Sequence, residues 1–91
     1  MGVLVRVPIP FRSCAGGQTE VMVEGNTVQK VLENLNESHD GIMEKICDEN
    51  GNLRGFVNLY LNDREIRSLE NLDTKVRDGD KISIIPAIAG G

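Results

Sequence analysis

Apolar and polar positions alternate over residues 3–9: Val3, Val5 and Val7 fall on one side of an extended chain, Leu4 and Arg6 on the other. A period of two predicts a half-buried strand. The stretch SCAGGQ follows, with Gly16 and Gly17 as turn residues. TEVMVEG then alternates again, Val21 and Val23 inward, Glu20, Met22 and Glu24 outward. Two alternating runs around a glycine-bearing loop predict an antiparallel hairpin. From Gly25 the period changes. Val28, Val31, Leu32 and Leu35 recur at i, i+3, i+4 and i+7, which is the apolar stripe of one helix. Asn26 or Thr27 suits its N-cap, Gly41 suits its end, and IMEKIC suits a further helical turn.

FVNLYLND alternates most clearly, with Val57, Leu59 and Leu61 on one face and Asn58 and Tyr60 on the other. Asn62-Asp63 makes a tight turn into REIRSL, a short strand. Asp78-Gly79-Asp80 turns into KISII, where Ile82 and Ile84 share one side and Ser83 and Ile85 the other. Pro86 cannot donate to a ladder, so the last strand stops about there. The order is strand, strand, helix, strand, short strand, strand. One sheet with one main helix across its inner face solves this order for a small α+β chain. A right-handed crossover then lays the final strand parallel to the first. The expected fold is a β-grasp (ubiquitin-like): a mixed four- to five-stranded sheet with one main helix, a domain over residues 1–85 and a flexible tail over 86–91.

Composition narrows the function classes. The chain has 91 residues, enough for one domain, and its aromatic residues are Phe11, Phe56 and Tyr60, so the core must be aliphatic. A net charge of −4 with scattered basic residues argues against nucleic-acid binding, which draws its affinity from phosphate neutralisation. No apolar run approaches the roughly 18 residues of a membrane span, and residues 1–9 lack the pattern of a signal peptide. A cytoplasmic protein with no membrane association is expected. Cys14 and Cys47 have no CxxC spacing, and a reducing compartment disfavours a disulfide between them. They read as one loop thiol and one small buried residue. A free end and a free docking face favour a monomer.

The chain carries little that resembles catalytic machinery. His39 lies in the polar stretch NESHDG and reads as a solvated helix-end residue, with Asp40 beside it and no nucleophile indicated. Ser13 and Cys14 fall in a loop without a positioned base. Asp48, Asn50 and Asn52 have calcium-loop spacing, but Leu53 stands where the loop needs glycine and Leu59 where it needs glutamate. No metal site and no catalytic residue is expected. What remains is the end, IIPAIAGG. Gly90 and Gly91 carry no Cβ, so their backbone can pass where side chains would clash. Six residues, Pro86 to Gly91, reach at most about 20 Å when extended.

With this element order, FVNLYLND, RDGDKISIIPAIAGG and the loop from Gly16 to Gln18, the chain resembles the ubiquitin-like sulfur carriers of the ThiS/MoaD family over essentially its whole length. GNTV, FVNLYLNDREIR and PAIAGG look most similar to the cysteine-pathway branch of that family. The resemblance implies that the Gly91 carboxylate is adenylated by a ubiquitin-activating-like enzyme, becomes a thiocarboxylate and serves as a sulfur donor. Pro86, Ala87, Ile88, Ala89 and Gly90 would thread into the partner. Leu4, Tyr60 and Ile85, outward on the sheet beside Arg6 and Asn58, would dock the body. The chain itself would bind no cofactor and catalyse nothing, ATP being consumed by the activating enzyme. The client implied is a cysteine-synthase-like enzyme, with a metalloprotease as a further partner. Three alternatives stay open. One is a molybdopterin-synthase small subunit serving its large subunit. Another is a protein modifier joined to lysines through Gly91, and the third is a ubiquitin-like module with an inert tail.

Overall fold

A computed structural model describes residues 2–86, apart from the side chain of Cys14. In chain order, β1 (Val3–Arg6) leads through a 3-10 helix (Ile9–Ala15) to β2 (Glu20–Val23). Helices α1 (Val28–Ser38) and α2 (Ile42–Ile46) follow. Next come β3 (Val57–Leu61), β4 (Arg64–Glu65), two 3-10 turns (Ile66–Ser68 and Asn71–Asp73) and β5 (Lys81–Pro86). The strands form one five-stranded sheet in the order β2-β1-β5-β3-β4. The central pair β1–β5 is parallel, with Arg6 opposite Ser83; the other pairs are antiparallel. This is the β-grasp arrangement expected from the sequence.

The alternation that defines the strands also defines the core. Val3, Val5, Val57, Leu59 and Ile82 are fully buried on the inner face, and Val28, Val31, Leu32 and Leu35 of α1 pack onto them. Each such side chain stabilises the fold by about 1.5–3 kcal/mol. The Thr27 hydroxyl accepts from the Lys30 N–H at 3.1 Å and caps α1. The start of α1 is tied to the segment before β5, because the Val28 N–H donates to the Thr74 carbonyl and the Val76 N–H to Asn26.

As the sequence reading expects, the main helix stops before Gly41 and a further helical turn follows it. Gly41 stands at φ 97° between α1 and α2, and the Asn36 carboxamide oxygen accepts from the Gly41 and Met43 N–H groups at 3.1 and 3.0 Å. That side chain replaces the carbonyl a continuing helix would offer, so the chain breaks and restarts. The β1–β2 connection does differ from the sequence reading, which places a glycine-bearing turn there. It holds the seven-residue 3-10 helix Ile9–Ala15, anchored by buried Phe11 and Ala15 and closed by Gly16 at φ 65°. Its prolines and short three-residue period look like loop in sequence.

Candidate functional site

The site is built where β5 leaves the sheet. β1 stops at Arg6, while β5 runs on past their last shared pair, Arg6–Ser83, to Pro86. On its other side β5 stays paired with β3, Asn58 opposite Ile85 and Val57 opposite Pro86. Pro86, which the sequence reading counts as the first residue of the threading tail, is thus the final residue of the strand, because it still pairs with Val57. The Asn62 N–H donates to the Lys81 carbonyl, so the odd residues of β5 direct their backbone groups at β3 and the even ones away from it. Pro86 is even, and its missing N–H costs no bond to β3. Ala87, Ile88, Ala89, Gly90 and Gly91, which the sequence reading assigns to the threading tail and its sulfur-carrying end, lie outside the described residues.

The outward residues named for docking do share one face. Along it, Glu20, Arg6, Ser83, Tyr60 and Glu65 form one row across five strands, and Met22, Leu4 and Lys81 form the next. Leu4 and Tyr60 are half-buried and sit on opposite sides of β5, with Lys81 and Ser83 between them. Ile85 is exposed and stands opposite Asn58. The face is therefore a set of apolar positions divided by polar ones. The Arg6–Glu20 ion pair, 3.5 Å apart with both side chains about half exposed, contributes at most about 1 kcal/mol.

An open cavity of about 290 Å³ lies on the β1 side of the β5 exit. Arg6, Arg12, Ser83, Ile84 and Ile85 are among its lining residues. Sequence reasoning did not single out Arg12, nor the exposed Ile9 and Phe56. Where they stand relative to one another depends on which strand ends meet, which is not written in local periodicity.

The remaining candidates have structural explanations. The His39 N–H donates to the Leu35 carbonyl and closes α1. Asp48 accepts from the Asn50 and Asn52 N–H groups at 2.9 and 3.0 Å, so the calcium-like spacing belongs to a carboxylate-closed turn. Cys47 is buried, and burial first, then the neighbouring Asp48 charge, pushes its thiol up against a smaller opposing effect of Arg54. A buried thiol held protonated is a poor nucleophile.

The family model described as the ThiS family matches residues 5–91. The chain belongs to the ThiS family. Among its relatives, it is 40% identical over 93 residues to the sulfur carrier protein CysO of Mycobacterium tuberculosis, an alignment covering 100% of both chains. The crystal structure of that protein superposes with a TM-score of 0.91 over 96% of this chain and 100% of the other. The crystal structure of the Amycolatopsis orientalis BexX/CysO complex gives a TM-score of 0.93 at 36% identity, over 99% of this chain and 100% of that one. The small archaeal modifier protein 3 of Haloferax volcanii is 37% identical over 65 residues, 71% of this chain and 70% of the other. Within the family, the chain therefore stands near carriers of the CysO kind and shares their fold.

Proposed function

We propose that this ThiS-family chain is a sulfur carrier of the CysO kind, with Gly91 as the residue that holds the sulfur. The observation that carries the reading is the full-length similarity to a sulfur carrier protein, with a family match that runs to residue 91. A carboxylate is a poor electrophile. In the proposed reaction the Gly91 carboxylate oxygen attacks the α-phosphorus of ATP on a partner enzyme and pyrophosphate leaves. A sulfide-level sulfur then attacks the acyl carbon, the C–O bond to AMP breaks, and a thiocarboxylate remains. The carrier is a co-substrate here, and ATP belongs to the partner. The thiocarboxylate, an anionic sulfur nucleophile, is delivered to a docked client enzyme, for which the making of cysteine or a related sulfur amino acid is favoured.

The physical requirement on this chain is modest. Acyl-adenylates hydrolyse in water, so the partner must enclose the reacting carboxylate. The body stays outside while residues beyond β5 reach in. The BexX/CysO complex, in which a relative of this chain is held by another protein, supports partner binding as the working state.

Incubation with sulfide, ATP and the adenylating enzyme of the source organism, followed by intact-mass measurement, tests the reading. Exchange of oxygen for sulfur adds about 16 Da. The similarity to a small archaeal modifier favours one second reading, conjugation through Gly91 to lysines of other proteins. High-mass conjugates in place of the thiocarboxylate support that reading, and an unchanged mass overturns both.

A further inference from the structure

We propose that the cavity beside the exit of β5 is a resting site for the chain's own end, in which Arg12, supported by Arg6, holds the carboxylate or thiocarboxylate of Gly91 until a partner enzyme takes it. The inference deepens the carrier reading and rests on its assignment of Gly91.

The cavity opens where a ladder breaks. The Leu4 N–H donates to the Asp80 carbonyl at 3.0 Å, so in the parallel β1–β5 pair the even residues of β1 serve the even residues of β5. The pairing of Arg6 with Ser83 continues this pattern, and the next donor toward Ile84 would be residue 8. That residue is Pro8, which has no N–H. The Ile84 carbonyl therefore receives no bond from the chain that continues β1. The segments part there around about 290 Å³, with Arg6, Pro8, Arg12 and Ile84 among the lining residues.

The chemistry of this space suits a peptide end. Two guanidinium groups line it against one carboxylate, Glu20, which lies 3.5 Å from Arg6. Arg12 makes no ion pair among the described residues. Its Nε donates to the Val7 carbonyl at 3.0 Å, which orients the guanidinium and leaves the two Nη groups to donate elsewhere. A backbone acceptor beside such donors is complementary to a chain end, whose last N–H donates while its carboxylate accepts. A free inorganic anion meets the cationic half of that pattern but brings no peptide N–H to the other half.

Length decides whose end it is. Ile85 stands in the cavity wall, and five residues, 87–91, follow the described chain. They span at most about 17 Å, so Gly91 stays close to the cavity. Closing so short a loop sets a local concentration on the order of millimolar, which the end of another molecule in dilute solution does not match. Charge acts in the same direction: on a chain of net charge −4, this cavity is a place where one more negative charge is attracted. Loading with sulfur keeps that charge, so the same donors hold the thiocarboxylate. An exposed pair of this kind is weak and screened by salt, so a partner that encloses the end displaces it readily.

Nuclear magnetic resonance of the full chain alone tests the site. The Arg12 Nε–H resonance is expected to differ between the chain with a free Gly91 acid and the same chain with that acid converted to an amide, and the difference should vanish at about 1 M sodium chloride. Cleaving a carboxy-terminal thioester of the chain with sulfide gives the thiocarboxylate without any enzyme. Its alkylation by iodoacetamide, read on the terminal peptide by mass spectrometry, should be about twofold slower than in Arg12→Ala. Arg6→Ala should act in the same direction without touching the Arg12–Val7 bond, and thermal melts confirm that each variant is folded. An Arg12 resonance identical in acid and amide overturns the resting site, and so do equal alkylation rates in the wild type and both variants. A resonance that moves with inorganic phosphate yet is the same in acid and amide assigns the cavity to a free anion and overturns it too. A chain that gains about 16 Da with the adenylating enzyme while its end stays unbound sinks this inference alone. A bound end on a chain which that enzyme leaves unchanged sinks the carrier reading alone.

Discussion

Gly25 has no room for a side chain. It stands at φ 155°, and a Cβ built there would lie 2.7 Å from Val31 Cγ2 and 2.8 Å from the Val31 backbone nitrogen. The clash is with the first turn of α1, so neither partner can yield cheaply. Gly25→Ala should cost about 2–4 kcal/mol, read as a lowered urea midpoint at unchanged slope. Cys47 gives a second residue-scale prediction. Burial holds its folded pKa above the ordinary thiol value of 9.0. The unfolded chain therefore loses this proton first as pH rises. The stabilising contribution is complete below about pH 9 and is lost progressively above it. In a Cys14→Ser background, iodoacetamide at pH 8 should leave the native protein unlabelled and label it once urea unfolds it. Rapid labelling of the native form would contradict the burial argument.

At the scale of elements, α1 is held by its stripe and by its cap. Thr27→Ala removes the acceptor for the Lys30 N–H and should cost about 1 kcal/mol. Leu35→Ala, deep in the stripe and fully buried, should cost about 2–5 kcal/mol. Denaturant melts that rank the two the other way would mean that the helix is secured by its end rather than by its face. The strands and α1 were legible because their periods of 2 and 3.6 are imposed by burial on one side. The break at Gly41 and the helical turn after it were legible too, from the glycine and from IMEKIC, although the Asn36 side chain that closes the break was not. The 3-10 helix Ile9–Ala15 was not legible, since it depends on the core around Phe11.

For the whole molecule, three chain segments come together at the end where β5 leaves the sheet. Ile85 was legible as outward, since alternation in KISII sets it opposite to Ile82 and Ile84. Being 45% exposed and opposite Asn58, it should tolerate Ile85→Asp with little change in melting temperature. Binding to the adenylating enzyme, measured by calorimetry, should weaken about tenfold or more, as expected when a charge enters an apolar contact. Undiminished affinity would remove Ile85 from the candidate docking face. Leu4 and Tyr60 are a different case. They were placed on the correct face, but β5 runs between them carrying Lys81 and Ser83, so a shared face did not make a shared patch.

By itself the sequence determined which residues face inward, where the strands and the main helix lie, and that the last strand stops at Pro86, because burial and backbone stereochemistry act over a few residues at a time. Only the tertiary structure decided that Ile9, Phe56 and Ile85 stand around one exit, with Arg6 and Arg12 beside it. These positions are far apart in the chain, and their meeting follows from the parallel β1–β5 pair and the antiparallel β3–β5 pair, whose register no local pattern records.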